Sequence, residues 1–326
     1  MKVLIVGGAG YIGSRITPYL RDKKFDVHVV DDLWFGNYLP SNIPLEKKDL
    51  FTLTDRDLAG YDATIFIAGL SNDPMAEYSP ALNFIHNAAG PAHLSYIAKK
   101  AGVKRFIYAD SCSVYGFTGD VESTEESPAK SVYPYGISKL QGELAVLELA
   151  DEDFSVICLR QGTVSGWSPR QRLDLVINAM YKTSVSENVI KVDNPDIWRP
   201  ILAISDAEKV YEHALNASPE ISGIFNASSG NFTVGEIGKS VAGRLSEQYG
   251  IKPHLEIGNQ QNYRNYRVST EKAKNVLGIN FTGTIESIID DLYKNLGTNI
   301  DFTDDRYYNI KMFKKILDGY QYGIHI

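Results

Sequence analysis

Tyr135 and Lys139, in the stretch "SVYPYGISKLQGE", are a phenol and an ammonium four residues apart. On a helix that spacing puts both side chains on one face. A phenol of ordinary pKa, near ~10, is a poor base at neutral pH. A cation one turn away favours its phenolate by charge attraction. The phenolate could then take the proton of an alcohol whose carbon gives up a hydride. Spacing alone decides nothing, because Tyr19/Lys23, Tyr96/Lys100 and Tyr307/Lys311 share it.

The elements that carry the pairs choose between them. Apolar runs at 2–7, 26–31, 63–69, 105–110 and 154–160 read as strands, and helical patterns lie near 11–22, 80–101 and 136–150. Near-continuous Val/Ile runs suit strands covered on both faces. The alternation predicts an α/β chain, a Rossmann-type doubly wound parallel sheet with right-handed crossovers. After Gly166 the rhythm breaks, and a smaller C-terminal mixed α/β region is expected beside the carboxyl edge of the sheet. The boundaries expected are 1–165, with a return segment near 200–226, and 166–326. The aromatic, mixed-charge tail reads as a surface or contact helix.

Ligands of such a sheet sit beyond the carboxyl ends of its strands. Tyr19/Lys23 falls at the far end of the first helix, Tyr96/Lys100 closes the helix before "RFIYAD", and Tyr307/Lys311 has no strand beside it. Tyr135/Lys139 alone follows a strand ending in a hydroxyl-bearing loop, "ADSCSVYG", and opens a helix after Pro134. Ser111, at that strand end, would orient or relay the proton.

"VLIVGGAGYIGSR" places Gly7, Gly8, Gly10 and Gly13 after the first strand and at a helix start. Residues without Cβ let backbone approach a pyrophosphate, whose charge is met by helix N-terminal amides. Asp31 ends the second strand, 18 residues after Gly13, where an acid accepts hydrogen bonds from a ribose diol. Asp32 follows, with no arginine adjacent in the chain. A 2′-phosphate would be repelled there, so NAD is favoured over NADP.

The composition narrows the class. With 44% hydrophobic and 22% charged residues in 326, the chain reads as ordinary globular protein, and its net charge of -7 argues against a broad nucleic-acid or membrane surface. Two cysteines and six scattered histidines suggest no metal site and a reducing, cytoplasmic setting. The apolar N-terminal run is interrupted by glycines, shows no cleavage pattern and is too short to span a bilayer.

Together these residues resemble the extended short-chain dehydrogenase/reductase superfamily, and within it the NAD-dependent nucleotide-sugar epimerases and dehydratases. The likeness runs through "GGAGYIG", Asp31, "KKDL", "IAGLS", "FIHNAAG", "SCSVYG", the Tyr135/Lys139 pair and "IWRPILAISDAEKV". It implies catalytic roles for Tyr135, Lys139 and Ser111. It implies NAD contacts at Gly7, Gly10, Tyr11, Ile12, Gly13, Asp31, Asp32, Asp49, Leu50, Ala68, Gly69 and Asn87, besides Tyr135 and Lys139. The 1–165 segment would then bind NAD and 166–326 the nucleotide-diphosphate sugar. A homodimer is also implied.

Dehydratases of the family carry an acidic pair just after the hydroxyl residue, where this chain has Cys112 and Ser113. A 4,6-dehydratase is thereby disfavoured. What remains is oxidation at a sugar carbon, C4 by the resemblance, as a 4-epimerase or 4-dehydrogenase. Two alternatives stay open: a reductase or epimerase of a 4-keto nucleotide sugar, and a non-catalytic NAD-binding regulator. Arg199 in "DIWRPI" matches the family's phosphate-binding arginine, with Arg264 and Arg172 next in weight. Ser71 and Asn72 could meet sugar hydroxyls, although they could equally cap the following helix. Thr163 stands where galactose epimerases have a substrate-contacting asparagine. Arg170 and Arg267 read as solvated surface arginines.

Overall fold

Alternate residues of each central strand feed two different cores, which is why the strand sequences are apolar almost throughout. In the computed structural model, which describes residues 1–258 and 264–321, Val3 and Ile5 join Ile107, Ile157 and Leu159 on one face. Leu4 and Val6 join Phe106, Tyr108 and Val156 on the other. The strands are β1 (Lys2–Val6), β2 (Asp26–Asp31), β3 (Leu45–Lys47), β4 (Ala63–Phe66), β5 (Arg105–Ser111), β6 (Phe117–Ser123) and β7 (Ser155–Gln161). Then come β8 (Thr163–Ser165), β9 (Val189–Asp193), β10 (Trp198–Ala203), β11 (Gly223–Ala227), β12 (Gly230–Thr233), β13 (His254–Gly258) and β14 (Asn265–Val268).

The main sheet has the order β11-β7-β5-β4-β1-β2-β3, and all of its pairings are parallel. The chain runs outward from β1 through β2 to β3, then returns to β4 on the other side of β1. That reversal opens a crevice between the loops after β1 and β4, where doubly wound sheets hold ligands. The chain beyond the central strands adds a three-stranded sheet, β12-β10-β8, and two-stranded pairs β13-β9 and β14-β6. A third core, with Ile177, Tyr181, Ile190, Ile201, Ile237 and Ile289, holds much of this region together. No helix among the described residues is long and apolar enough to cross a membrane.

One element differs from its sequence pattern. The helix expected over 80–101 is three pieces: α-helices at Pro80–Phe84 and Gly90–Lys100, joined by a π-helical turn at Ile85–Ala89. Pro91 has no amide hydrogen to give the Asn87 carbonyl, four residues back. That carbonyl instead accepts from the Tyr108 hydroxyl at 3.1 Å. A π-turn absorbs the misfit, and such turns gather at functional sites.

Candidate active site

The end of β5 and the start of the Pro134–Leu147 helix meet at the crevice. Pro134 occupies the first turn of that helix, where its missing amide costs nothing. Ser111, Tyr135 and Lys139 consequently open onto one cavity of about 620 Å³. The other three tyrosine–lysine pairs lie elsewhere. Tyr19 and Lys23 both engage Glu212. Tyr96 is exposed, with Lys100 on Asp55 at 3.0 Å. Lys311 pairs with Asp305 at 2.8 Å.

Burial pushes the Tyr135 phenol well above its ordinary range, while a hydrogen bond with Ser111 and the positive charge of Arg172 pull it back. Lys139 does not reach the phenol as a hydrogen-bond partner. Its ammonium donates to the Ala109 carbonyl at 2.5 Å and lies 4.5 Å from the centre of the Tyr108 ring. Burial pushes its pKa down to about 8, and the Asp110 carboxyl pulls the other way. That pull is slight while Asp110 keeps its proton. Burial and the nearby Glu143 hold the Asp110 pKa well above the carboxylate range, which favours its protonated form. Arg160 closes the cluster with two 2.7 Å bonds to Glu143.

The glycine loop shows three separate uses of a missing Cβ. At Gly7, φ is +89° and a Cβ would sit 2.4 Å from the Ala68 nitrogen, so the loops after β1 and β4 could not close together. At Gly13, a Cβ would sit 2.6 Å from the Gly8 carbonyl carbon, which is helix-to-loop packing. At Gly10 a Cβ would meet one protein atom within 4 Å, the Gly7 oxygen at 3.3 Å. That face is open, as a diphosphate requires. Asp31 is held ready by the Ala9 amide at 3.0 Å and the Leu33 amide at 2.8 Å. Asp32 beside it is lifted to about 6 by burial, then by Asp49 and Asp31. This concentration of negative charge suits a ribose diol and opposes a 2′-phosphate, so the cradle fits NAD.

Gly7, Gly10, Asp31, Asp32 and Leu50 line the adenosine-side cavity, with Ala68 and Gly69 shared between it and the larger one. Tyr11 and Ile12 line the larger cavity. Three of the expected cofactor residues, Gly13, Asp49 and Asn87, line neither. Asp49 caps the turn at Leu50–Thr52 through the Phe51 amide, at 2.9 Å. Asn87 is fully buried, its amide nitrogen donating to the Leu70 carbonyl and to Asn83, each at 2.9 Å. It ties the loop after β4 to the helices behind it.

Ser71, Asn72, Thr163, Arg172, Arg199 and Arg264 all line the larger cavity. Their partners were not evident in the sequence. Arg172 is held in a fork by Asp174 at 2.8 and 3.0 Å and gives a third bond to Ser71 at 3.2 Å. Arg264 pairs with Asp73, and its carbonyl accepts from Arg199 at 2.6 Å. Asn72 caps the Asp73–Tyr78 helix through the Met75 amide at 3.1 Å and also bonds Asp174. The tail helix, Asn309–Gln321, comes over the same mouth. Asn309 donates to Ser71 at 2.6 Å, Ile310 lines the cavity, and Phe313 stacks on Trp34. Arg170 corrects a reading: it is not a solvated surface arginine but 2% exposed. Arg267 is half-buried, its guanidinium 5.0 Å from the Trp198 ring centre.

Comparison with known proteins agrees with this geometry. A UDP-glucose 4-epimerase of Azospirillum brasilense is 30% identical over 212 residues, 62% of this chain and 59% of that protein. One of Bacillus subtilis is 31% identical over 188 residues, 53% of this chain and 56% of that protein. The chain thus spans about three-fifths or less of these relatives' lengths. The Thermus thermophilus UDP-glucose 4-epimerase complex with NAD shares the fold, with a TM-score of 0.79 at 21% identity over 91% of this chain and all of that one. The model of the "NAD dependent epimerase/dehydratase family" matches residues 3–228. With its glycine cradle, Asp31 and the Ser111, Tyr135 and Lys139 constellation all inside the matched span, the chain belongs to the NAD-dependent epimerase/dehydratase family.

Proposed function

We propose that this chain oxidises C4 of a nucleotide-diphosphate sugar and returns the hydride to the opposite face, as a 4-epimerase. The observation that carries the reading is one cavity lined by buried Ser111 and Lys139, half-buried Tyr135 and three arginines, Arg172, Arg199 and Arg264. Arginine forks suit diphosphate oxygens. NAD, when bound, supplies the hydride acceptor. Ser111 holds the sugar hydroxyl beside Tyr135. Tyr135, whose burial-raised pKa is partly offset by the Ser111 hydrogen bond and the Arg172 charge, takes the hydroxyl proton as the carbon–hydrogen bond breaks. It gives the proton back when the hydride returns. Epimerisation needs only that the ketone turn over in between, with no further acid or base. Cys112, next to Ser111, cannot serve a dehydration, because burial holds its thiol far above neutrality.

A homodimer fits the exposed apolar side chains of Tyr96 and Leu144, on two helices that pack together. Two buried free thiols suit a cytoplasmic setting. The test is NAD-loaded protein incubated with a panel of nucleotide-diphosphate hexoses. The 4-epimer should appear by NMR, and Tyr135→Phe should slow it by about 10²-fold or more. Accumulation of a keto sugar with stoichiometric NADH would make it a dehydrogenase instead. Undiminished turnover by Tyr135→Phe would end the proposed mechanism.

A further inference from the structure

Arg170 is a buried cation whose own protein does not complete it. Its side chain is 2% exposed, yet Nε and Nη2 have no hydrogen-bond partner. A buried guanidinium with unfilled donors is costly unless something accepts from it. The carboxylate near it, Asp31, is already committed to the Ala9 and Leu33 amides. Burial and then the like charge of Arg172 push the Arg170 pKa down to about 9. An anion beside it would reverse both effects.

Its place is equally specific. The segment 166–172 crosses the glycine loop from the second region. Tyr11 donates to the Gly166 carbonyl at 2.8 Å, and Ser168 donates to the Tyr11 carbonyl at 2.6 Å. The Arg170 amide donates to Ser14 at 3.3 Å, in the first turn of the Gly13–Asp22 helix. From there the guanidinium stacks 4.0 Å over Phe35, a wall of the adenosine-side cavity. It therefore stands between the first turn of the Gly13–Asp22 helix and Phe35 in the loop after β2, behind a cavity that Gly10 also lines.

We infer that Arg170 is a ligand of the dinucleotide's diphosphate, delivered from the second region across the glycine loop. A diphosphate oxygen at this place would accept from Nε and Nη2 together, the two parallel donors that a guanidinium fork presents. The helix N-terminal amides would hold the same group from the other side. A phosphate ester could also come from a ribose 2′-phosphate, so the two sources must be separated. The inference rests on the dinucleotide cradle and not on the sugar chemistry, so it can be read without any substrate.

The experiment is calorimetric titration of the whole chain with ADP, 2′-AMP and adenosine. It compares wild type, Arg170→Gln and Arg170→Lys, with thermal melts of each. The Gln variant should bind ADP about 10- to 100-fold more weakly and adenosine within about twofold, with Lys in between. Equal losses for ADP and adenosine would make Arg170 a structural prop and overturn the assignment. A loss confined to 2′-AMP would overturn it too, moving the contact to the ribose. If the Gln variant does not fold, the wild-type Arg170 Nε–H resonance decides. It should shift with ADP and not with adenosine, and no shift with ADP refutes the contact.

Discussion

Replacing both carboxyls of the buried cluster behind Lys139 should cost more than the two single changes together. The cluster contains two cations, Arg160 and Lys139, and the carboxyls of Glu143 and Asp110. Glu143 holds Arg160 in a fork at 2.7 Å, with side-chain exposures of 1% and 4%. Asp110 is 3.8 Å from the same guanidinium with a fully buried side chain, and burial first, then Glu143, hold its pKa well above the carboxylate range. In Asp110→Asn the amide replaces a neutral acid, so the loss at pH 7 should stay near ~1 kcal/mol or less. In Glu143→Gln the second cause of the raised Asp110 pKa is removed and only burial remains. Asp110, 3.8 Å from the guanidinium, should then take over part of the pairing with Arg160, leaving a loss of about 1–2 kcal/mol. The double variant leaves Arg160 buried with no anion, which costs about 3–5 kcal/mol. Urea unfolding at pH 7 with a common m-value measures all three, within reach of a stability of about 5–15 kcal/mol. A double loss equal to the sum of the singles would refute the shared proton, as would Asp110→Asn costing as much as Glu143→Gln.

Two further outcomes follow from the same geometry. Lys139 has a folded-state pKa lowered to about 8 from 10.5, so the folded chain binds fewer protons than the unfolded one between those values, and stability rises with pH across that window. Lys139→Met should therefore stabilise the protein by about 1–3 kcal/mol at pH 7, a gain gone by pH 10.5, while abolishing turnover; a destabilised variant at pH 7 would show that the ammonium is well solvated or paired. Gly69 has φ +122°, and a Cβ there would lie 2.2 Å from the Asn87 side-chain oxygen; Gly69→Ala should lose about 1–3 kcal/mol of stability and weaken NAD binding, and an unchanged melt would mean that the loop after β4 can shift freely.

Much of this was legible because parallel strands announce themselves locally. β2 coincides with "DVHVVD", since an apolar run bounded by polar residues has one compatible fate in a doubly wound sheet. The glycine loop and Tyr135 were legible for a related reason: their spacing is fixed by a single turn and a single helix. What the sequence could not reveal depends on chain-distant contact. Nothing near Arg264 in its motif identifies Asp73, 191 residues away, as its partner. The tail read as a surface or contact helix from its aromatic, mixed-charge composition, which does not say what it contacts. Its apolar face in fact meets Trp34, Leu70 and Met75 beside the cofactor cavity. The break at the π-turn was missed for a subtler reason. Pro91 was visible, but the hydroxyl that replaces its missing amide belongs to Tyr108 on another strand.

On the proposed assignment, residues 166–174 tie the cofactor and substrate sites into one object. Their backbone is pinned to the glycine-loop helix through Tyr11 and Ser14. From that pinned segment Arg170 turns toward Phe35 on the adenosine side, and Arg172 toward Ser71 on the sugar side. Two residues apart in an extended stretch, side chains share a direction; here they diverge because Asp174 captures Arg172 while Phe35 captures Arg170. On the assignments proposed above, an anion bound beside either arginine would offset part of the repulsion between these like charges. Filling one cavity removes part of the repulsion felt in the other. Binding of dinucleotide and of nucleotide sugar should on this ground reinforce one another, through charge and not through movement of the sheet.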